Sequence, residues 1–200
     1  MQRPVRERTR YSNVAMTLHW VIALSILINL GLGWRMGFLT GMAQFTMFQL
    51  HKSVGITVLV LSVARLVWRL THRPPVLPTT MMTWERHAAS ITHSAFYVMM
   101  IGMPLTGWAM VSVSAWNIPT LLWSYIPLPH IGVLHALAPA QKASVEAVSG
   151  TAHLALAIGG VTLIALHVAA ALKHQFIVGD GVLGRMLPFV NATPSKVEDR

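Results

Sequence analysis

TAHLALAIGGVTLIALHVAAALKH, Thr151 to His174, holds no acidic or basic side chain before Lys173 apart from two histidines. From about Thr151 to Leu172 it exceeds the roughly 20 apolar residues that a helix needs to cross about 30 Å of hydrocarbon. The apolar character is continuous. A strand of a spanning barrel would alternate over roughly 10 residues, and an open strand in lipid would leave its backbone groups unpaired.

Three more such stretches lie upstream, from about Val14 to Trp34, His51 to Leu70 and Ala88 to Val111. With 54% of 200 residues apolar and 10% charged, lipid is the expected solvent and a soluble fold is not expected. The expected fold is all-α, an integral membrane four-helix bundle forming one domain over residues 1–190, followed by a disordered tail at 191–200. Arg3, Arg6, Arg8 and Arg10 before the first stretch imitate a secretory signal. Its length, the lack of a clean cleavage pattern and His19 within it favour a retained span. The absence of cysteine excludes disulfides, iron–sulfur clusters and thiolate-bound metals, which leaves histidine as the main candidate ligand.

A net charge of +9 suggests nucleic acid until its distribution is read. One side of the four spans collects the N-terminal arginines, Arg69, Arg73, Arg86, Lys173, Arg185, Lys196 and Arg200, with Arg65 one turn inside. The other side carries Arg35, Lys52 and Lys142. That asymmetry predicts both termini in the cytoplasm and no nucleic-acid partner. Trp34, Trp108, Trp116 and Trp123 would mark the outer interface, and Trp20, Trp68 and Trp84 the inner one. Pro74, Pro75 and Pro78 predict a short inner loop. The proline-rich, apolar connection from Ser112 to Gly150 is expected to lie over the outer end of the bundle.

Ten histidines are present, and four stand at matched depths in the spans. His153 and His167 are 14 residues apart, about 21 Å along a helix axis and within roughly 40° of one face. His19 lies in the first turns of helix one and His51 at the start of helix two. Depth pairs His19 with His167 near the inner face and His51 with His153 near the outer. A flat macrocycle with two axial imidazoles would fill each gap, and two haems across one membrane make an electron path. A lone intramembrane histidine is commonly a packing residue or part of a proton path. A divalent-metal or proton transporter without haem also uses imidazole, although acidic residues within the spans are missing.

Among the other candidates, His93 and Tyr97 share a face of helix three as a proton relay, a propionate contact or a packed pair. His174 could meet a quinone headgroup or only solvent. Arg65 and Arg69 stand where haem propionates, a quinone or lipid phosphates would need charge, or where arginines merely snorkel. Lys52 could pair with a propionate or attract an anionic substrate. Gly102, Pro104 and Gly107 would bend helix three or allow close approach. His72, His87, His130 and His135 carry no assigned role.

TLHW (Thr17 to Trp20), HKSVGI (His51 to Ile56), ARLVWRL (Ala64 to Leu70) and His153 with His167 followed by ALKHQF (Ala171 to Phe176) occur in this order. With these spacings the chain resembles the bacterial cytochrome b561 family from about Tyr11 to Leu187. The resemblance implies two b haems with axial ligands at His19, His51, His153 and His167, in the bacterial inner membrane. It further implies an oxidoreductase that takes electrons from superoxide at the outer face, with Lys52 and Lys142 drawing the anion in, and reduces ubiquinone. Related cytochrome b subunits suggest the alternative of a relay between a periplasmic dehydrogenase or cytochrome and the quinone pool.

Overall fold

A computed structural model describes residues 10–78 and 81–187. Four long helices carry the chain, each long and apolar enough to cross a membrane. They are α1 (Asn13–Met36), α2 (Gly41–Thr71), α3 (Thr83–Val113) and α5 (Pro139–Lys173). Arg3, Arg6, Arg8, Lys196, Arg200 and the expected disordered tail lie outside the described residues.

Local chemistry sets the helix starts. Ser12 takes extended backbone before α1, and its hydroxyl accepts the Ala15 N–H at 3.3 Å, satisfying one of the unpaired donors of the first turn. Glu85 does the same for Met82 at the head of α3, at 3.1 Å. Pro139 opens α5, where its missing N–H costs nothing because no carbonyl precedes it in the helix. Beyond Lys173 the helix loosens into a π-turn over His174–Val178, and Gly179 ends it in the left-handed region at φ 71°.

All four helices are longer than the sequence suggests, and two of them start ten or more residues early. The span expected from His51 begins ten residues earlier, at Gly41, so His51 lies well inside α2 instead of opening it. Gln44, Thr46 and Gln49 dilute the hydropathy there without interrupting the helix. The connection expected over Ser112 to Gly150 is likewise shorter, since 139–150 belongs to α5. What remains of it holds a two-stranded antiparallel hairpin, β1 (Thr120–Leu122) and β2 (Ile126–Leu128), and a single helical turn, α4 (Gly132–His135). Trp123 and Ser124 turn the hairpin in left-handed backbone, at φ 53° and 68°.

The bundle is two helix pairs, α1 on α2 and α3 on α5, joined by lighter contact between α2 and α3. Ile22, Val54, Val58 and Met100 form the buried core where three of these helices meet. Most large apolar side chains face outward, among them Leu24, Val60, Ile91 and Leu166, as lipid requires. The hairpin covers the end of the bundle where α2 starts. Lys52 and Gln49 donate to the Pro119 carbonyl at 3.0 and 2.9 Å, and the Trp123 N–H donates to Ser53 Oγ at 2.9 Å. The opposite end carries both ends of the described chain and the loop between α2 and α3.

Candidate functional site: two histidine pairs across the bundle

The four histidines selected by depth meet in two pairs, each spanning the seam between the helix pairs. His51 of α2 and His153 of α5 stand at the hairpin end, with ring centroids 6.3 Å apart and planes at 70°. His19 of α1 and His167 of α5 stand at the other end, again at 6.3 Å and 70°. An imidazole nitrogen binds a metal at about 2.0–2.1 Å, so two such bonds end to end with a ring radius at each side come to roughly 6.3 Å. Both gaps therefore have the length of a bis-imidazole axis.

Hydrogen bonds orient the rings of the hairpin-end pair. His51 Nδ1 lies 3.1 Å from the Asn29 carbonyl, and His153 Nδ1 lies 3.0 Å from the Met103 carbonyl. A carbonyl can only accept, so each Nδ1 carries the proton and each Nε2 keeps its lone pair for a metal. Thr106 Oγ1 adds a contact to His153 Nδ1 at 3.0 Å while donating to the same Met103 carbonyl at 2.8 Å. Glycines make room for the rings. A Cβ on Gly33 would stand 3.2 Å from His51 Cε1, and one on Gly107 3.3 Å from His153 Cε1. Close approach is thus the use of Gly107, one of the two roles its place in α3 suggests.

At the other end aromatic rings do this work. Trp20 meets His19 edge-on at 5.2 Å, and Phe96 meets His167 at 5.2 Å. His93 comes within 6.0 Å of His167, a third imidazole at this level that sequence reading left among the minor candidates. Its α3 neighbour Tyr97 lies 6.0 Å from the Arg69 guanidinium. Arg65 and Arg69 line a cleft at this same end, together with Arg10, Arg73 and Tyr97.

Two further candidates have other partners. Lys52 is only 9% exposed, with its ammonium on the Pro119 carbonyl and 4.7 Å from the Phe48 ring. Its sequence position suggests a propionate partner or attraction of an anionic substrate; in the structure its ammonium anchors the hairpin. His174 is buried, its Nδ1 2.6 Å from Asp180 Oδ2, which commits that nitrogen to a carboxylate that sequence reading did not consider. The left-handed turns at Gly179 and Gly181 bring Asp180 back to it. In the outer connection, His130 and His135 stack at 4.8 Å. Burial, with His135, Lys52 and Lys142 nearby, holds the His130 imidazole below its ordinary value.

Four long apolar helices with imidazoles paired at two depths are the arrangement of a membrane protein able to hold a flat metal cofactor between its helices. The profile of prokaryotic cytochrome b561 matches residues 10–189, and the chain belongs to that family. It is 29% identical to cytochrome b561 homolog 1 of Escherichia coli (strain K12), over 90% of this chain and 97% of the relative. Similarity to cytochrome b561 homolog 2 of the same organism is also 29%, over 89% and 91%. A probable superoxide oxidase, CybB of Yersinia pestis, is 30% identical over 90% and 96%. The protein is therefore a multi-pass, haem-binding electron-transfer protein of the bacterial inner membrane. With the family established, the reading as a haem-free transporter falls away.

Proposed function

We propose that the chain binds two b haems, one between His51 and His153 and one between His19 and His167, and transfers electrons one at a time from superoxide outside the membrane to ubiquinone. The observation that carries this reading is the matched 6.3 Å separation of both ring pairs at opposite ends of one bundle. Bound haem would supply a one-electron iron couple at each depth. The protein's own part is orientation and exclusion of water. Asn29 and Met103 hold the hairpin-end imidazoles by their Nδ1 protons. Trp20 and Phe96 pack against the other pair. Arg65 and Arg69 would offer charge to propionates or to quinone there.

Superoxide as donor is supported by the name of the Yersinia pestis relative. In the overall balance two superoxide anions lose one electron each to become two dioxygen molecules, and ubiquinone takes two electrons and two protons to become ubiquinol. The basic asymmetry of the chain supports a topology with the hairpin end outside and both termini in the cytoplasm.

A second reading, relay from a periplasmic dehydrogenase or cytochrome, is favoured by the apolar surface of the hairpin end. Trp116, Tyr125 and Val133 are 85%, 87% and 77% exposed there, more than an uncovered loop needs. One experiment tests both. The purified chain, with haem per chain measured, is supplied with superoxide and a ubiquinone analogue. Two haems per chain and quinone reduction that superoxide dismutase abolishes are expected. Two haems without quinone reduction would leave the relay, and a colourless protein would overturn both.

A further inference from the structure

Between the hairpin and α5 the chain folds back onto the end of α3. Trp108 Nε1 donates to the Pro129 carbonyl at 3.0 Å, the Ile131 N–H to Ser112 Oγ at 2.9 Å, and His135 Nδ1 to the Ser112 carbonyl at 3.1 Å. These bonds reach the most buried stretch of α3, where Val111, Ser112 and Val113 are 9%, 0% and 1% exposed. α4 is a single turn, too short to hold its own shape without contacts outside it. Residues 129–137 are thus a cover that closes through a few contacts, one of them made by a histidine.

A second histidine lies flat on the first. The His130 and His135 rings stack with centroids 4.8 Å apart and planes at 12°. His135 is tied to α3 by its Nδ1 proton, whereas the His130 ring has no hydrogen-bond partner among the described residues. The charged groups acting on His130 from α2 and α5 are both cations, Lys52 and Lys142. The stretch 100–138, which holds the end of α3, the hairpin and α4, has no acidic or basic residue apart from these two histidines. Glu146, the one carboxylate at this end among the described residues, is exposed and belongs to neither ion pair. Burial first, then His135, Lys52 and Lys142, favour the neutral His130 ring while the cover is closed.

A base disfavoured as a cation in the closed state takes up its proton more readily once the cover opens. Closure is therefore strongest above about pH 6.5, the ordinary histidine value, and weakens as the pH falls through the lowered one. We propose that the His130–His135 stack is a pH-sensitive latch, which holds residues 129–137 over the end of α3 at neutral pH and releases them when the medium at the hairpin end acidifies and His130 is protonated. The latch stands beside the His51–His153 pair, since Val111 is about one turn beyond Gly107, which abuts the His153 ring. It does not depend on which donor supplies electrons.

Hydrogen exchange of the haem-loaded chain in detergent tests it, read by mass spectrometry between about pH 5 and pH 7.5 and corrected for the intrinsic pH dependence of exchange. Protection over 131–137 should fall at least about threefold from the upper to the lower pH, while protection in the middle of α1 stays level. His130→Phe keeps a ring against His135 but takes no proton, so its protection over 131–137 should be the same at both pH values. His130→Gln should be equally flat, even where loss of the ring lowers its protection throughout.

Unchanged protection over 131–137 in the unaltered chain overturns the proposal, as does a pH response that persists in either variant. A fall shared by the middle of α1 overturns it too, because the acid response would then belong to the whole bundle. Equal helical circular dichroism of the three chains at both pH values excludes misfolding as the cause.

Discussion

Gly33 and Gly107 face the two imidazoles of the hairpin-end pair across helix seams with no space for a methyl group. A Cβ at 3.2 or 3.3 Å forces the ring to give way by a few tenths of an ångström, against a hydrogen bond that holds its Nδ1. Gly33→Ala and Gly107→Ala should therefore perturb one haem and spare the other. The expected result is a shifted or weakened component in the reduced-minus-oxidised spectrum, with the second component unchanged. The ligands themselves predict more. His153→Ala or His167→Ala should each lower the haem content by about one per chain, measured by pyridine haemochrome, because one axial bond is removed. A variant retaining both haems with an unchanged spectrum would refute the pairing. These four histidines were legible in the sequence because an ionisable group in an apolar span has few structural excuses. Their orienting partners were not, since every residue carries a carbonyl and only folding selects Asn29 and Met103. Asp180 escaped for a similar reason: its approach to His174 depends on two left-handed turns.

The helices differ from their sequence reading in length more than in kind. Hydropathy finds the lipid-facing middle of a helix and loses its ends, where Gln49 or Gln141 serves a loop or a cap. Pro139 was read with the prolines of a loop, although at the first position of α5 it favours the helix. The hairpin depends most on tertiary contact. Six residues of strand are too few to stand alone, and their docking on α2 runs through Lys52, Gln49 and Ser53. Ser53 is 1% exposed, so Ser53→Ala leaves the Trp123 N–H without a buried acceptor, at a cost of about 1–3 kcal/mol. Hydrogen exchange across 120–128 should quicken accordingly while exchange in the middle of α1 stays the same. Unaltered exchange in the hairpin would mean that this bond does not hold it.

Each histidine pair bridges the seam between α1/α2 and α3/α5, where direct helix contact is sparse and the buried core is small. Cofactor in those gaps would be a main connection between the halves, and ligand that binds only the folded state adds stability by mass action. Protein made under haem limitation should then melt lower, by the equivalent of about 3–4 kcal/mol if haem saturates its site a few hundred- to a thousandfold. The measurement is thermal unfolding in detergent of haem-limited and haem-replete protein with the haem per chain determined for each, and an equal Tm would show that the bundle is complete without it. Orientation also belongs to the assembled bundle. The excess of arginine and lysine at the end opposite the hairpin predicts that a green fluorescent protein fused at the C-terminus glows and an alkaline phosphatase fused there is inactive. The reverse pattern would invert the membrane topology.

Hydropathy, charge asymmetry and histidine depth were enough to find four spanning helices and the two pairs, because lipid punishes unpaired backbone and buried charge wherever they occur along the chain. Those penalties act on single segments and so leave a mark in sequence order. The inward turn of Lys52, the closure of Asp180 on His174, the clearance at Gly33 and Gly107 and the gathering of four arginines around one cleft leave no such mark. Each depends on groups brought together from separate turns or helices, and only the packed bundle brings them within a few ångströms of one another.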